Sequence, residues 1–270
     1  MRFCVNVSIL FTEFPLLERF ARARAAGFDT VELWWPRGED LAAVQGAIAD
    51  AGVAVALLNF DAGDMPAGDR GLLSDPALQD AFRDNVPVAL ELAAAVGCTK
   101  LNALAGHELA GHELAGSSRE AQLEVARGNV RFAADAAAGQ GAQILIESVN
   151  TFENGPYLFS RTSEASEFVR SVERDNVRLQ YDVYHMQRME GDITATIERH
   201  LGEIAHIQVA DSPERNQPGT GEINFDYVFR RIQELGYDGD IGLEYKPAGG
   251  DTEASFGWLP PERRASGGRP

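Results

Sequence analysis

The sequence contains few of the residues that mark several common classes of protein. Its 270 residues include two cysteines and five histidines, too few for a disulfide framework or for a site built from many histidine ligands. No apolar run approaches the length of a membrane span, and the chain opens on a strand-like segment instead of a signal peptide. We therefore expect a cytoplasmic protein in which Cys4 and Cys98 are reduced core residues.

Positive charge is also scarce. The chain has 24 basic residues against 41 acidic ones, which gives a formal net charge of -17. Such a charge argues against nucleic acid or an anionic membrane as the partner, and an anionic substrate would need a local group of cations. The basic residues are almost all arginine, since Lys100 and Lys246 are the two lysines of the sequence.

Apolar strand-like runs alternate with helical runs along the whole chain. Eight such runs follow one another without a linker, and 44% of the residues are hydrophobic. This alternation of strands and helices predicts an α/β fold, a single (β/α)8 barrel over residues 1–259, with a disordered tail at 260–270. An open doubly wound sheet is the alternative. It is disfavoured because no glycine-rich phosphate-binding motif follows the first strand.

Four polar residues each stand near the end of one of the last four strand-like runs. They are Glu147, Asp182, Gln208 and Glu244, separated by 35, 26 and 36 positions. In a barrel of this kind the carboxyl ends of the strands line one shared face. Three carboxylates and an amide that converge there would suit a hard divalent cation and proton transfer. The alternative for any single one is a structural ion pair.

Three further residues lie close to these strand ends. His185 is on the predicted loop after the sixth strand, and Arg215 is on the long loop after the seventh. Lys246 is two positions past Glu244, hence on the same strand face if the strand continues. We take the three as candidate contacts to substrate. The alternatives are a hydrogen-bonded loop histidine, a solvated arginine and a lysine retained by chance.

Polar residues on the early strands leave two interpretations open. Asn6, Glu32 and Asn102 either line the floor of the site, where Asn6 and Asn102 would contact substrate, or form a buried polar network. The tandem repeat over 106–116 places two histidines five residues apart, which does not suit a zinc-binding helix. We interpret it as a loop duplication that precedes a helix over 117–138.

Several stretches together resemble the hydroxypyruvate isomerase family, one of the sugar isomerase and epimerase barrels related to xylose isomerase. The main matching stretches are Leu145-Ile146-Glu147-Ser148-Val149-Asn150, Gln180-Tyr181-Asp182-Val183-Tyr184-His185-Met186-Gln187, His206-Ile207-Gln208-Val209-Ala210-Asp211, Pro218-Gly219-Thr220-Gly221-Glu222-Ile223-Asn224 and Gly242-Leu243-Glu244-Tyr245-Lys246-Pro247. With shorter matches near residues 11–15 and 247–253, they span nearly the whole chain.

The resemblance implies a reaction and a set of roles. Hydroxypyruvate and tartronate semialdehyde would interconvert, with Mg²⁺ or Mn²⁺ held by the four strand-end residues. Glu147 and Glu244 would transfer the proton, while His185 and Arg215 would contact substrate oxygens. The loops after the third and fourth strands depart from the family pattern. An isomerase of a longer 2-oxo sugar acid (2-oxo-tetronate type), a ketose 3-epimerase and a non-catalytic sugar-acid-binding barrel therefore stay as alternatives. Self-association into a homo-oligomer is left open.

Overall fold

Eight parallel strands form a closed barrel in the computed structural model, which describes residues 1–109 and 118–265. Each strand pairs with the next, and the last pairs with the first. The strands are β1 (Arg2–Asn6), β2 (Thr30–Leu33), β3 (Ala54–Asn59), β4 (Lys100–Asn102), β5 (Gln143–Glu147), β6 (Val177–Asp182), β7 (Ile204–Val209) and β8 (Asp240–Leu243). The prediction of a single (β/α)8 barrel is confirmed, and the open-sheet alternative is wrong.

Helices cover the outside of the barrel. They are α1 (Leu16–Ala25), α2 (Leu41–Ala51), α3 (Gln79–Ala95), α4 (Arg119–Ala138), α5 (Thr151–Asn154), α6 (Thr162–Val172), α7 (Val183–Met189), α8 (Ile193–His200), α9 (Phe225–Glu234) and α10 (Thr252–Ser255). Their ends follow local signals in the sequence. The Asp40 carboxylate caps α2 by accepting the Ala42 N–H, and Gly52 ends that helix in the left-handed conformation that glycine adopts without strain.

The core lies both inside the barrel and between strands and helices. Strands buried on both faces read as continuous apolar runs, and β5 is an example, with Ile144, Leu145 and Ile146 all at 0% exposure. Burying each of these side chains contributes roughly 1.5–3 kcal/mol. The residues that close such strands are therefore held on a rigid frame. Within the described residues, no helix combines the length and apolar character needed to cross a membrane.

Two strand ends differ from the prediction. The loop expected after the sixth strand is a helix, α7, which begins directly after Asp182, so His185 sits on its first turn. Asp182 caps this helix by accepting the backbone N–H groups of Tyr184 and His185. The eighth strand ends at Leu243, one residue before Glu244, so the alternation of side chains does not extend to Lys246.

The chain also differs at the predicted tail. Residues 261–263 form a 3-10 turn, and the Arg264 guanidinium donates to the carbonyl oxygens of Ala26, Phe256 and Leu259. Residues 260–265 thus pack on the barrel, while 266–270 lie outside the described residues. Most of the tandem repeat, from 110, and Ser117, the predicted start of the fourth helix, also lie outside them. Ser118 caps α4 by accepting the Ala121 N–H.

Candidate active site

The four strand-end residues meet at the carboxyl end of the barrel. Register pairs Asp182 on β6 with Gln208 on β7, and the Glu244 N–H donates to the Val209 carbonyl at 3.2 Å. Glu147 closes β5 opposite Gln180 of β6. All four predicted ligands are at most 5% exposed. We call Glu147, Asp182, Gln208 and Glu244 the ligand cluster.

The Glu244 carboxylate is held by four side chains of this face through its two oxygens. Its Oε1 accepts from Trp34 Nε1 at 2.7 Å, Asn6 Nδ2 at 2.8 Å and Gln208 Nε2 at 3.3 Å. Its Oε2 accepts from the Arg215 guanidinium. Burial raises the pKa of Glu244 to about 7, although Arg215 opposes the shift. A carboxyl group in that range exchanges protons readily near neutral pH.

Glu147 presents one bonded and one open oxygen. Its Oε2 accepts from Asn102 Nδ2 at 2.8 Å and from Gln180 Nε2 at 3.0 Å. Among the described residues no hydrogen bond is made to Oε1, which lies 4.0 Å from His185 Nε2. Burial, together with the charges of Glu244 and Asp182, raises the pKa of Glu147 well above its usual value.

Asp182 has an oxygen without a donor. Its Oδ1 accepts the Tyr184 N–H at 2.8 Å, whereas Oδ2 is buried and receives no hydrogen bond from the described residues. The basic side chains nearest to Oδ2 are His185, with Nε2 at 3.5 Å, and Arg215, with Nη2 at 3.7 Å. A buried carboxylate oxygen without a hydrogen-bond donor lowers the stability of the folded protein unless a cation or another donor binds it.

The tautomer of His185 follows from its neighbour Asn150. The Asn150 Oδ1 accepts the Glu153 N–H at 3.1 Å, which turns the amide Nδ2 towards His185 Nδ1 at 2.7 Å. Nδ1 is then an acceptor, and the ring proton lies on Nε2, facing the carboxylates. Burial, with a smaller contribution from Arg215, lowers the pKa of His185 well below its usual value. The ring is therefore a neutral donor directed at the ligand cluster.

A small cavity of about 60 Å³ opens above these groups. Its polar lining includes Glu147, His185, Arg215 and Glu244. Its apolar side includes the side chains of Trp34, Met65, Leu104, Val149 and Tyr157. A larger space of about 560 Å³ adjoins it through the shared residues Trp34, Asn59 and Met65.

The donor set fits a divalent cation. Ligand atoms of Glu147, Asp182 and His185 lie within 4.8 Å of one another. Carboxylate and amide oxygens are the ligands that hard divalent cations prefer. The unsatisfied Asp182 Oδ2 supports this fit, because a cation would give that buried oxygen the partner that it lacks.

A second group of metal-binding residue types lies below the first, at the floor of the barrel. His206 Nε2 donates to Glu32 Oε2 at 2.6 Å, and Cys4 Sγ approaches the same oxygen at 3.5 Å. We call Cys4, Glu32 and His206 the floor cluster. Gly242 makes room for it, since a Cβ there would lie 2.3 Å from Glu32 Oε2. All three side chains are buried.

The buried network is the interpretation that fits Asn6 and Asn102. Both donate to carboxylates, Asn6 to Glu244 and to Glu32 Oε1 at 3.2 Å, and Asn102 to Glu147. Neither lines the cavity. Lys246 is exposed and does not line it either, because the strand has ended before it. The strand-alternation argument for Lys246 therefore fails.

Residues beyond the predicted set also hold the site together. Gln180 bridges Glu147 and Gln208, and Trp34 binds Glu244. The period of two in a strand could have found Gln180, two positions before Asp182, and His206, two before Gln208. Trp34 follows the end of β2, where the sequence carries no comparable signal.

The comparisons with known proteins agree with the barrel fold and show the family of the chain. A family model described as a xylose isomerase-like TIM barrel matches residues 20–262. A Streptomyces coelicolor protein named putative hydroxypyruvate isomerase is 41% identical over 98% of each chain. The hydroxypyruvate isomerase of Escherichia coli is 38% identical over 97% of this chain and 100% of its own.

Two further relatives bear on substrate and fold. A 2-oxo-tetronate isomerase of Cupriavidus necator is 39% identical over 96% of this chain and 98% of its own. A solved structure from Brucella melitensis, described as an AP endonuclease of family 2, has a TM-score of 0.89 at 38% identity. It covers 96% of this chain and 97% of that chain.

Proposed function

Because the chain belongs to the hydroxypyruvate isomerase family of xylose isomerase-like barrels, we propose that it interconverts hydroxypyruvate and tartronate semialdehyde. The observation that carries this proposal is the pair Glu147 and Glu244, two buried carboxyl groups that line one small cavity. An isomerase of this type needs a group that takes a proton from one carbon and a group that returns a proton to its neighbour.

The reaction moves a carbonyl group by one carbon. A proton leaves C3 of hydroxypyruvate and a proton is added at C2, by way of an enediol, while the C3 hydroxyl becomes the aldehyde and the C2 oxygen gains a proton. We assign the first transfer to Glu147, because its Oε1 is free of hydrogen-bond donors among the described residues. Glu244, with a pKa raised to about 7 by burial, is suited to return the proton.

A divalent cation fits the ligand cluster. Mg²⁺ or Mn²⁺ held by Glu147, Asp182, Gln208 and Glu244 would stabilise the negative charge that develops on the substrate oxygens. His185 adds to this stabilisation through its Nε2–H, which is directed at the same place. Gln208 donates from its Nε2 to Glu32 Oε1 at 2.6 Å, so its amide oxygen is turned away from the floor.

A 2-oxo-tetronate is the second candidate substrate. The Cupriavidus necator relative named for that activity is as similar to this chain as the hydroxypyruvate isomerases are. The space of about 560 Å³ beside the cavity leaves room for the additional carbon of such a substrate. The AP endonuclease description of the Brucella protein is not carried over, because a net charge of -17 opposes DNA binding.

Proton exchange in D₂O tests the proposal directly. Purified protein is incubated with Mn²⁺ or Mg²⁺ and hydroxypyruvate, and the products are followed by NMR. We expect deuterium at C3 of hydroxypyruvate, and tartronate semialdehyde that carries deuterium at C2. Exchange on a 2-oxo-tetronate but not on hydroxypyruvate would show that the second candidate is the substrate. No exchange on either acid, with metal bound, would favour a non-catalytic binding barrel.

A further inference from the structure

One arginine of the cavity is used neither by the ligand cluster nor by the assignments above. Arg70 lines the same cavity as Glu147 and Glu244 and lies on the loop between β3 and α3. It is half-buried. The other arginine of the cavity, Arg215, already has two acidic neighbours, Glu244 and Asp182.

The loop holds Arg70 in a fixed place. The next residue, Gly71, has a φ of +137°, and a Cβ there would lie 2.2 Å from the Leu104 carbonyl oxygen. Its N–H donates to the Ala62 carbonyl at 3.1 Å. A residue other than glycine would be strained in this conformation and would also collide with the neighbouring loop. Gly71 therefore fixes the path of the backbone directly after Arg70, which lines the cavity.

The partners of the Arg70 guanidinium are all neutral. Nε donates to Asn154 Oδ1 at 3.0 Å, and Nη1 donates to the carbonyls of Met65 and Asp69 at 3.0 and 2.7 Å. These bonds orient the group without balancing its charge. Within the described residues, no carboxylate lies within 4.0 Å of it, and Nη2 has no hydrogen-bond acceptor.

We propose that Arg70 binds the carboxylate of the 2-oxo acid substrate and so selects sugar acids over uncharged ketoses. The inference rests on the proposed isomerase function and names the residue that sets its substrate class. An arginine that is oriented by neutral acceptors keeps its full charge for an incoming anion, and guanidinium–carboxylate contacts are among the stronger hydrogen bonds in proteins. The overall negative charge makes such a local cation necessary for an anionic substrate.

The test compares an acid with its uncharged counterpart. Dihydroxyacetone has the skeleton of hydroxypyruvate with a hydroxymethyl group in place of the carboxylate. We expect Arg70→Gln to lower kcat/KM for hydroxypyruvate by roughly 10- to 100-fold, mainly through KM. Proton exchange on dihydroxyacetone should stay within about twofold. Pyruvate cannot undergo this isomerisation, and its competitive inhibition should weaken in Arg70→Gln by a factor similar to the loss in kcat/KM for hydroxypyruvate. Arg70→Lys should lie between the wild type and Arg70→Gln in both measurements.

Arg37 provides the matched control. It lines the adjoining space, but its charge is already paired with Asp61, to which its Nε and Nη2 donate at 3.1 and 2.6 Å. Arg37→Gln should leave the preference for the acid unchanged. Equal loss on both substrates in Arg70→Gln would show a structural role for the loop and overturn the inference. Retention of wild-type kcat/KM and of pyruvate inhibition would also overturn it. Absence of exchange in the wild-type protein would instead overturn the proposed function.

Discussion

The ligand cluster and the floor cluster are built from similar residue types, yet they differ in how their oxygens are satisfied. In the floor cluster, both Glu32 oxygens are bonded, Oε1 by Asn6 and Gln208 and Oε2 by His206. In the ligand cluster, Asp182 Oδ2 has no donor among the described residues. Glu147 and Glu244 also line the cavity.

This difference separates a structural network from a chemical site. A buried carboxylate whose two oxygens both accept hydrogen bonds is stabilised in place, and neither oxygen is available to bind a ligand. A buried carboxylate with an open oxygen is costly and therefore ready for a cation or a proton. Residue type and proximity alone would have assigned metal to both clusters.

Loss of a carboxylate in the ligand cluster should have the largest effect. We expect Glu147→Gln and Glu244→Gln each to lower kcat by roughly 10³- to 10⁴-fold, since an amide cannot take or return the proton. The change in shape is small, so the melting temperature should stay near that of the wild type. Steady-state turnover of hydroxypyruvate and thermal unfolding measure the two effects.

The control for this prediction is Glu214→Gln, on the exposed part of the loop after β7. It removes a negative charge without touching the cavity, so turnover should be unchanged. Near-normal rates in both Glu147→Gln and Glu244→Gln would contradict the assignment of the proton-transfer pair.

Loss of a partner in the floor cluster should instead reduce stability. His206→Ala removes one of the two 2.6 Å hydrogen bonds to the buried Glu32 carboxylate, and breaking a buried pair of this kind costs about 3 kcal/mol in unfolding free energy. Glu147→Gln, by contrast, replaces a carboxyl group whose ionisation is opposed by burial and by two neighbouring carboxylates, so it should not destabilise the protein. Urea unfolding of metal-free protein compares the two variants.

His206→Gln is the matched control here, because its amide can still donate towards Glu32. It should recover part of the stability that His206→Ala loses. A loss below about 1 kcal/mol in His206→Ala would show that the floor cluster does not hold the barrel in the way that its bonds indicate.

The sequence predicted which strands bring the site residues together better than it predicted the hydrogen bonds among them. The period of one strand per β/α unit is enough to place Glu147, Asp182, Gln208 and Glu244 on one face, because parallel strands in a barrel end at the same edge. The sequence could not show whether Asn6 and Asn102 line the site and contact substrate or belong to a buried polar network, since that depends on which oxygen each amide reaches. The strand-alternation argument for Lys246 fails because β8 ends one residue earlier than expected.

Arg70 and Trp34 show a second limit. Both act from positions that follow a strand, where no periodic pattern governs the direction of a side chain. Their distance from the ligand cluster along the chain is large, and only the closed barrel brings them to the cavity. A sequence can indicate that such loops face the site, but the contacts come from the folded loop.

The smallest of these effects should come from Gln180, which joins two members of the ligand cluster. Its Nε2 donates to Glu147 Oε2 at 3.0 Å and to Gln208 Oε1 at 2.6 Å. Gln180→Met keeps the volume but removes both bonds, so the two ligands lose their fixed orientation. We expect metal affinity to fall about 10- to 100-fold, as is usual when an outer partner of a metal ligand is lost. Calorimetric titration of chelator-treated protein with Mn²⁺ measures this change.

Gln122→Met makes the same substitution at a buried glutamine whose bonds go to Leu109, Ser74 and His107, outside both clusters. Its metal affinity should equal that of the wild type. If Gln180→Met also binds Mn²⁺ with unchanged affinity, Glu147 and Gln208 do not depend on their shared partner. The difference between the two clusters would then come only from the open carboxylate oxygens of the ligand cluster. Hydrogen bonds from neighbouring amides would matter for the floor cluster but not for metal binding by the ligand cluster.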